Sequence, residues 1–416
     1  MPRSTLAQAA EDLARRLGQL ARVSDERGAT TRTFLSPAMG RANALVGGWM
    51  RGAGLSVRED AAGNLIGRLP GPARGSKTLL MGSHLDTVRD AGRFDGALGV
   101  LLPIAALEAA RDRGLSLPFA VEVLGFSEEE GVRFSSAYLG SKAYTGRLRE
   151  SDLALRDPDG VSVAQALSRH HGRRHPLPRP AHSPGELLGY LEVHIEQGPV
   201  LESRGLAAGV VPAIAGQTRA RVSFTGRAGH AGTTPMSLRR DALAGAAEFI
   251  LGVEALAQGR PPLVATVGRV SAHPGAANVI AGSAELALDV RHPSDAARRA
   301  ALGTLRRAGL AIAKRRGLGF AAEVTQDNGA VACSRPLTAL LERSVRACQG
   351  RSLRIPSGAG HDAVILSTLA PVAMLFVRCR GGLSHHPDEF VRTGDIGVAL
   401  EIVVDFLARL ASGALR

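Results

Sequence analysis

The spacing of apolar positions divides the chain into helical and extended stretches. Leu6, Ala9, Leu13, Leu17 and Leu20 recur at helical intervals and predict a helix over 5–20, and a second covers about 38–53 and ends at Gly54. Short apolar runs bounded by Gly and Pro predict strands at 64–69, 78–83 and 120–127, with a buried helix from Gly99 to Arg111 before the last of them. Strands alternating with helices imply an α/β fold: a mainly parallel mixed sheet flanked by helices on both faces. In such sheets chemistry gathers at the strand C-termini.

From about Gly216 the pattern changes. RARVSFTG alternates like a half-buried strand, 241–256 reads as a helix, LVATVGRVSA and SAELALDVRH as strands, and 295–315 as a long helix. This predicts an inserted α+β, ferredoxin-like domain at 216–328, between two parts of a larger catalytic domain at 1–215 and 329–416. Helical pattern at 336–348, the strand PVAMLFVR and a helix at 395–411 complete the larger domain. The Pro-rich segment 168–184 predicts an exposed loop. Its four histidines lack acidic or regularly spaced partners and read as solvated rather than as a metal site.

Composition narrows the function classes. With 416 residues, 45% of them hydrophobic, the chain is long enough for two cores. No run of about 18 apolar residues is present, and the first residues lack the apolar core and cleavage site of a secretory signal. The three cysteines, without a C-x-x-C pair, suit a reducing compartment, so a cytoplasmic location is expected. The net charge of +13 invites a nucleic-acid reading. Nearly all of it is Arg, however, and an aromatic content of 4% leaves few stacking platforms, so neither nucleic acid nor membrane is an expected partner.

Four clusters carry chemistry. In GSHLDTVRDAGRFDGALGV, His84 and Asp86 follow an apolar strand and Asp95 lies in a Gly-flanked turn; positions i and i+2 share a strand face, so Asp86 can reach the His84 ring and fix its tautomer. In FSEEEGVRF, the consecutive Glu128, Glu129 and Glu130 end another apolar strand, a costly arrangement without a cation. His194 lies in the strand-like YLEVHIEQGP, and His385 and His386 stand beyond PVAMLFVR. Together these offer His84, Asp95, Glu130, His194 and His385 as nitrogen and oxygen ligands suited to Zn²⁺, Mn²⁺ or Co²⁺. Glu129 stays free to move a proton.

These segments, with LGS, GHAGTTPMSLRRDA, NVI, LDVR, SGAGHDA and GGLSHHPDE, resemble the metallohydrolases related to aminoacylases and di-zinc aminopeptidases. The resemblance runs from about Ser36 to the C-terminus. It lies in the branch holding allantoate amidohydrolases, N-carbamoyl-L-amino acid hydrolases and β-ureidopropionases. It implies two divalent metal ions per subunit, zinc or manganese: His84 and His194 on one, Glu130 and His385 on the other, Asp95 bridging. Glu129 matches the general base, and His230 a residue that polarises the scissile carbonyl. Gln217, Asn278, Arg291, Gly358 and Gly360 match substrate-binding positions, and a guanidinium such as that of Arg291 pairs both oxygens of a carboxylate. A second reading of Arg291 is an ion pair with Asp289. His386 departs from the pattern and competes with His385 for the ligand role, where His385 keeps the motif spacing.

The finer match, in IAGQTR, FSEEEGVRF and MLFVRCRGGLSH, is to allantoate amidohydrolases. It implies hydrolysis of a ureido C–N bond of allantoate to ureidoglycine, ammonia and carbon dioxide. N-carbamoyl-L-amino acid hydrolysis is the alternative, since both substrates present a carboxylate and a ureido group; a peptidase or N-deacylase and a non-catalytic binding protein stand behind it. The inserted domain is expected to act as a lid and to form a homodimer interface.

Overall fold

The computed structural model describes residues 5–172 and 180–414. Its strands, in chain order, are β1 (Ser56–Glu59), β2 (Leu65–Leu69), β3 (Thr78–His84), β4 (Ala120–Phe126), β5 (Leu187–Ile195), β6 (Ala208–Val211), β7 (Ala213–Ile214) and β8 (Gly216–Thr225). There follow β9 (Gly229–His230), β10 (Val264–His273), β11 (Val279–Ile280), β12 (Ser283–His292), β13 (Gly319–Asn328), β14 (Val331–Ala332) and β15 (Val372–Val377). The chain forms two compact units, one of residues 1–212, 333–355 and 360–416, the other of residues 213–332 and 356–359. The division falls a few residues outside 216 and 328 because β7 and β14 pair with each other, Val331 opposite Ile214, and Ser357 bridges to Ile214.

The larger unit is built on a seven-stranded sheet ordered β1-β2-β4-β3-β5-β15-β6. The inner strands β4, β3, β5 and β15 run parallel, and the outer pairings are antiparallel. Every residue of β3, β4 and β15 is buried, as the continuous apolar runs require when both faces are covered. The helices Leu6–Ala21, Pro37–Gly52, Ala97–Asp112, Arg335–Gln349 and Thr393–Ala411 add Leu13, Val46, Leu101, Leu341 and Leu400 to one core with β3 and β15. The four parallel strands lie side by side, so their C-terminal ends open on a common rim.

The smaller unit has the order strand, helix, two strands, helix, strand, with an antiparallel sheet ordered β10-β12-β8-β13. That is the ferredoxin-like topology. Val222, Phe224, Leu286 and Leu288 face the helices Ala242–Gln258 and Asp295–Arg316, while Arg219, Arg221 and Glu285 alternate onto the open face.

The segment predicted as an exposed loop at 168–184 is partly ordered otherwise. The helix Val163–His171 runs into it, His170 lies 2.5 Å from Glu59, and His182 lies 3.0 Å from the buried Glu122. Two of its histidines therefore have acidic partners from distant strands rather than water alone. His175 lies outside the described residues.

Candidate metal centre

Each strand end delivers its cluster to the rim. His84 closes β3, Glu128–Glu130 follow β4, His194 is the penultimate residue of β5, and the loop after β15 carries Ser384 to Glu389. Asp95 sits in the turn that opens the helix Ala97–Asp112, after which Gly99 packs so closely on β5 that an added Cβ would strike the carbonyl of Val193. Gly96 adopts φ 61°, and a Cβ there would fall 2.6 Å from Cγ of His84; only glycine brings Asp95 this near the ring.

The Asp95 carboxylate divides its two oxygens between two sets of donors. Oδ1 lies 3.4 Å from Nε2 of His84 and 3.2 Å from Nε2 of His194. Oδ2 lies 3.4 Å from Nε2 of His385, which is itself 3.4 Å from Oε1 of Glu130. Ligand atoms of His84, Asp95 and His194, of His84, Glu129 and Glu130, and of Asp95, Glu130 and His385 form three groups, each within 4.8 Å. Only His385 is substantially exposed, at 48% of its side chain. His386 is in none of these groups, and its Nδ1 accepts from the Asp388 N–H at 3.1 Å.

The imidazoles are oriented from behind. Nδ1 of His84 meets the backbone carbonyl of Asp86 at 3.0 Å and Nδ1 of His194 that of Ile195 at 3.0 Å; a carbonyl only accepts, so each Nδ1 carries a proton and each ring presents Nε2 to Asp95. The Asp86 carboxylate is farther from His84, at 3.5 Å. Its main partners are the N–H groups of Glu129, 3.0 Å away, and Glu130, 3.1 Å away. Asp86 thus orients the His84 ring through its carbonyl and holds the acidic loop through its side chain.

The electrostatics favour a cation. Burial alone would lower the pKa of His84, yet Asp86 and Asp95 hold it well above its ordinary value. Burial likewise opposes ionisation of Asp95, but His194, His385 and His84 keep it well below. Burial pushes Glu129 well up and, despite His84, Glu130 to about 7 with help from Asp95. His385 is raised to about 9 by its hydrogen bond to Asp95. Nitrogen lone pairs aimed at a carboxylate repel it unless a proton or a metal ion intervenes. An N/O donor set without thiolate fits Zn²⁺ or Mn²⁺.

In the smaller unit, Gln217 and Arg291 are register partners on neighbouring strands. Both reach Asp289: Gln217 donates at 2.7 Å, and Arg291 donates through Nε at 2.8 Å and Nη2 at 3.1 Å. Nη1 of Arg291 donates to the Gly358 carbonyl at 2.7 Å. The ion pair therefore exists, and it still leaves guanidinium hydrogens unused. His230 pairs with Val279 beside Asn278, whose carbonyl accepts from Ala231. The N–H groups of Gly232 and Thr233 donate to Nδ1 of His230, at 3.0 and 3.2 Å, which puts the ring proton on Nε2 as a donor. A Cβ at Gly358 would meet open space, whereas one at Gly360 would overlap the Tyr138 hydroxyl.

Sequence reasoning missed several residues of the larger unit's site. His361 is buried, with its ring 4.6 Å from that of His194, and burial holds its pKa well below the ordinary value. Gln197, Ser384 and Glu389 surround Asp95. His361, Gln197, Ser384 and Glu389 each stand within a segment read only for its other histidines or its glycines; a polar residue inside such a motif was the available signal.

The chain is 40% identical to "Allantoate deiminase 2" of Glycine max over 427 residues, which span 95% of this chain and 88% of that protein. It is 39% identical to the "N-carbamoyl-L-amino acid amidohydrolase" of Geobacillus stearothermophilus over 404 residues, 97% of this chain and 99% of that one. Among solved structures, a hydantoinase/carbamoylase family amidase from Burkholderia multivorans is similar with a TM-score of 0.90 and 32% identity, covering 97% of this chain and 98% of that one. The model of peptidase family M20/M25/M40 matches residues 80–409, and with four-fifths of its length spanned the chain belongs to that family of hydrolases.

Proposed function

We propose that the protein is a two-metal amidohydrolase that cleaves a ureido C–N bond, with allantoate as substrate and ureidoglycine, ammonia and carbon dioxide as products. The observation that carries this is the divided Asp95 carboxylate, with His84 and His194 on one oxygen and His385 with Glu130 on the other. His84, His194 and Asp95 would hold one ion and Asp95, Glu130 and His385 the second, each Zn²⁺ or Mn²⁺. Such an ion pair, when bound, acidifies water and withdraws charge from a carbonyl.

The remaining steps belong to the chain. Glu129, whose buried carboxyl binds protons well above its usual range, takes a proton from the attacking water and returns it to the leaving nitrogen. Asp86 fixes the backbone of Glu129. In the smaller unit Nε2–H of His230 polarises the scissile carbonyl, and Arg291, Gln217 and Asn278 bind the carboxylate and polar groups of the substrate; Gly358 and Gly360 are further substrate-binding positions. The inserted unit acts as a closing lid and as the surface of a homodimer. The three cysteines are free thiols, which supports a reducing, cytoplasmic setting.

Hydrolysis of an N-carbamoyl-L-amino acid is the second reading, supported by the 39% identity to the Geobacillus protein. Ammonia release by metal-loaded protein from allantoate, N-carbamoyl-amino acids and dipeptides separates the readings. Release from N-carbamoyl-amino acids alone replaces the first with the second.

A further inference from the structure

Two loops meet around Asp95, and one buried side chain fastens them. Glu389 is 1% exposed and stands in a turn in which its N–H donates to the His386 carbonyl. Its Oε1 accepts from the backbone N–H of Phe94 at 2.8 Å and of Asp95 at 3.0 Å. Its Oε2 is 3.3 Å from the Ser384 hydroxyl, and that hydroxyl hydrogen-bonds Oδ2 of Asp95. Nε2 of Gln197 completes the ring of contacts, donating to Oδ2 at 2.8 Å and to Ser384 at 3.2 Å. Glu389 also fills the space beside Gly92, where a Cβ would collide with its side chain.

The two halves of the centre depend unequally on this arrangement. His84 and His194 stand on buried, hydrogen-bonded strands and face Oδ1. His385 stands on the loop itself, half exposed, with φ 56°, and faces Oδ2. A non-glycine residue in that region of φ persists when its surroundings hold it.

We propose that Glu389 is a positioning residue that latches the 92–95 loop to the 384–389 loop and thereby sets the second ion subsite, formed by Oδ2 of Asp95, Glu130 and His385. This rests on the two-ion reading above. Its carboxylate hydrogen-bonds the backbone of Phe94 and Asp95 and the Ser384 hydroxyl, so it acts on the subsite through these groups.

Calorimetric titration of metal-free protein with Co²⁺, followed in parallel by visible absorption, tests it without reference to turnover. Wild-type protein is expected to take up two equivalents. Glu389→Ala should keep its first equivalent within about threefold in affinity and lose roughly 10–100-fold in the second, the range seen when outer partners of metal ligands are removed. Glu389→Gln, whose amide oxygen still accepts from Phe94 and Asp95, should restore most of the second. Ser384→Ala should weaken the second alone, and carries the test if Glu389→Ala does not fold. Equal weakening of both equivalents, loss of neither, or a Gln variant as poor as Ala overturns the latch and leaves the two-ion reading standing. Wild-type protein that takes up a single equivalent overturns that reading, visibly before any variant is made, and the latch falls with it.

Discussion

The backbone N–H of Glu129 points at the carboxylate of Asp86, 3.0 Å away and 43 residues earlier in the chain. The same carboxylate accepts from Glu130, so one buried acid holds both the base and a ligand. Asp86→Ala leaves these N–H groups without an acceptor, a loss of about 1–3 kcal/mol for a buried donor. Its expected outcome is a lower melting temperature together with a roughly 10–100-fold fall in kcat/KM. Asp86→Asn, which keeps one acceptor oxygen, should lie between. Calorimetry and steady-state assays check both; wild-type kinetics in Asp86→Ala would remove Asp86 from the site.

Glu129→Gln should bind metal with unchanged stoichiometry and turn over about 10²–10⁴-fold more slowly, because the amide cannot carry the proton. Metal content and kcat measured on the same preparation decide this. Full turnover by that variant rules Glu129 out as the base.

Arg291 is already half engaged by Asp289 and Gly358. If its free hydrogens grip the substrate carboxylate, Arg291→Lys should raise KM by roughly tenfold or more with a smaller change in kcat, since an ammonium cannot keep the forked pair with Asp289 and bind a second anion. An unchanged KM with a lowered melting temperature would leave Arg291 a structural partner of Asp289.

Glu122 gathers Arg68, Tyr144 and His182 at 2.7, 2.8 and 3.0 Å. Burial opposes its ionisation, but His182, Tyr144 and Arg68 together lower its pKa to about 2. A folded-state pKa below the ordinary value of 4.5 contributes stability that is fully present above about pH 4.5 and lost as pH falls through about 2. The stability gap between wild type and Glu122→Gln, on the order of 2–3 kcal/mol at pH 7, should therefore close across that window. Denaturant unfolding at several pH values measures it; a gap independent of pH contradicts the ion cluster.

The bounds of two helices and of two central strands were legible in the sequence. Helical spacing placed Leu6–Ala21 and Asp295–Arg316 to within a residue or two, and the apolar runs placed β3 and β4. Apolar periodicity is a local property of the chain, and so is the appearance of His84, Glu128–Glu130, His194 and His385 directly after such runs. The partners of His170 and His182 were not legible, because Glu59 and Glu122 lie 111 and 60 residues away.

By itself the sequence determined the apolar strands that precede the clusters and the acids and imidazoles that stand at their ends, and hence that nitrogen and oxygen donors without thiolate were at hand, while β1, β6 and β13 carried no apolar pattern that was read as a strand. Only the tertiary structure decided that β4, β3, β5 and β15 are neighbours, that Asp95 shows one oxygen to each pair of donors, and that Glu389 reaches Phe94 across 295 residues. Strand order and loop-to-loop hydrogen bonds are settled by packing between distant segments, and no local period in the sequence records them.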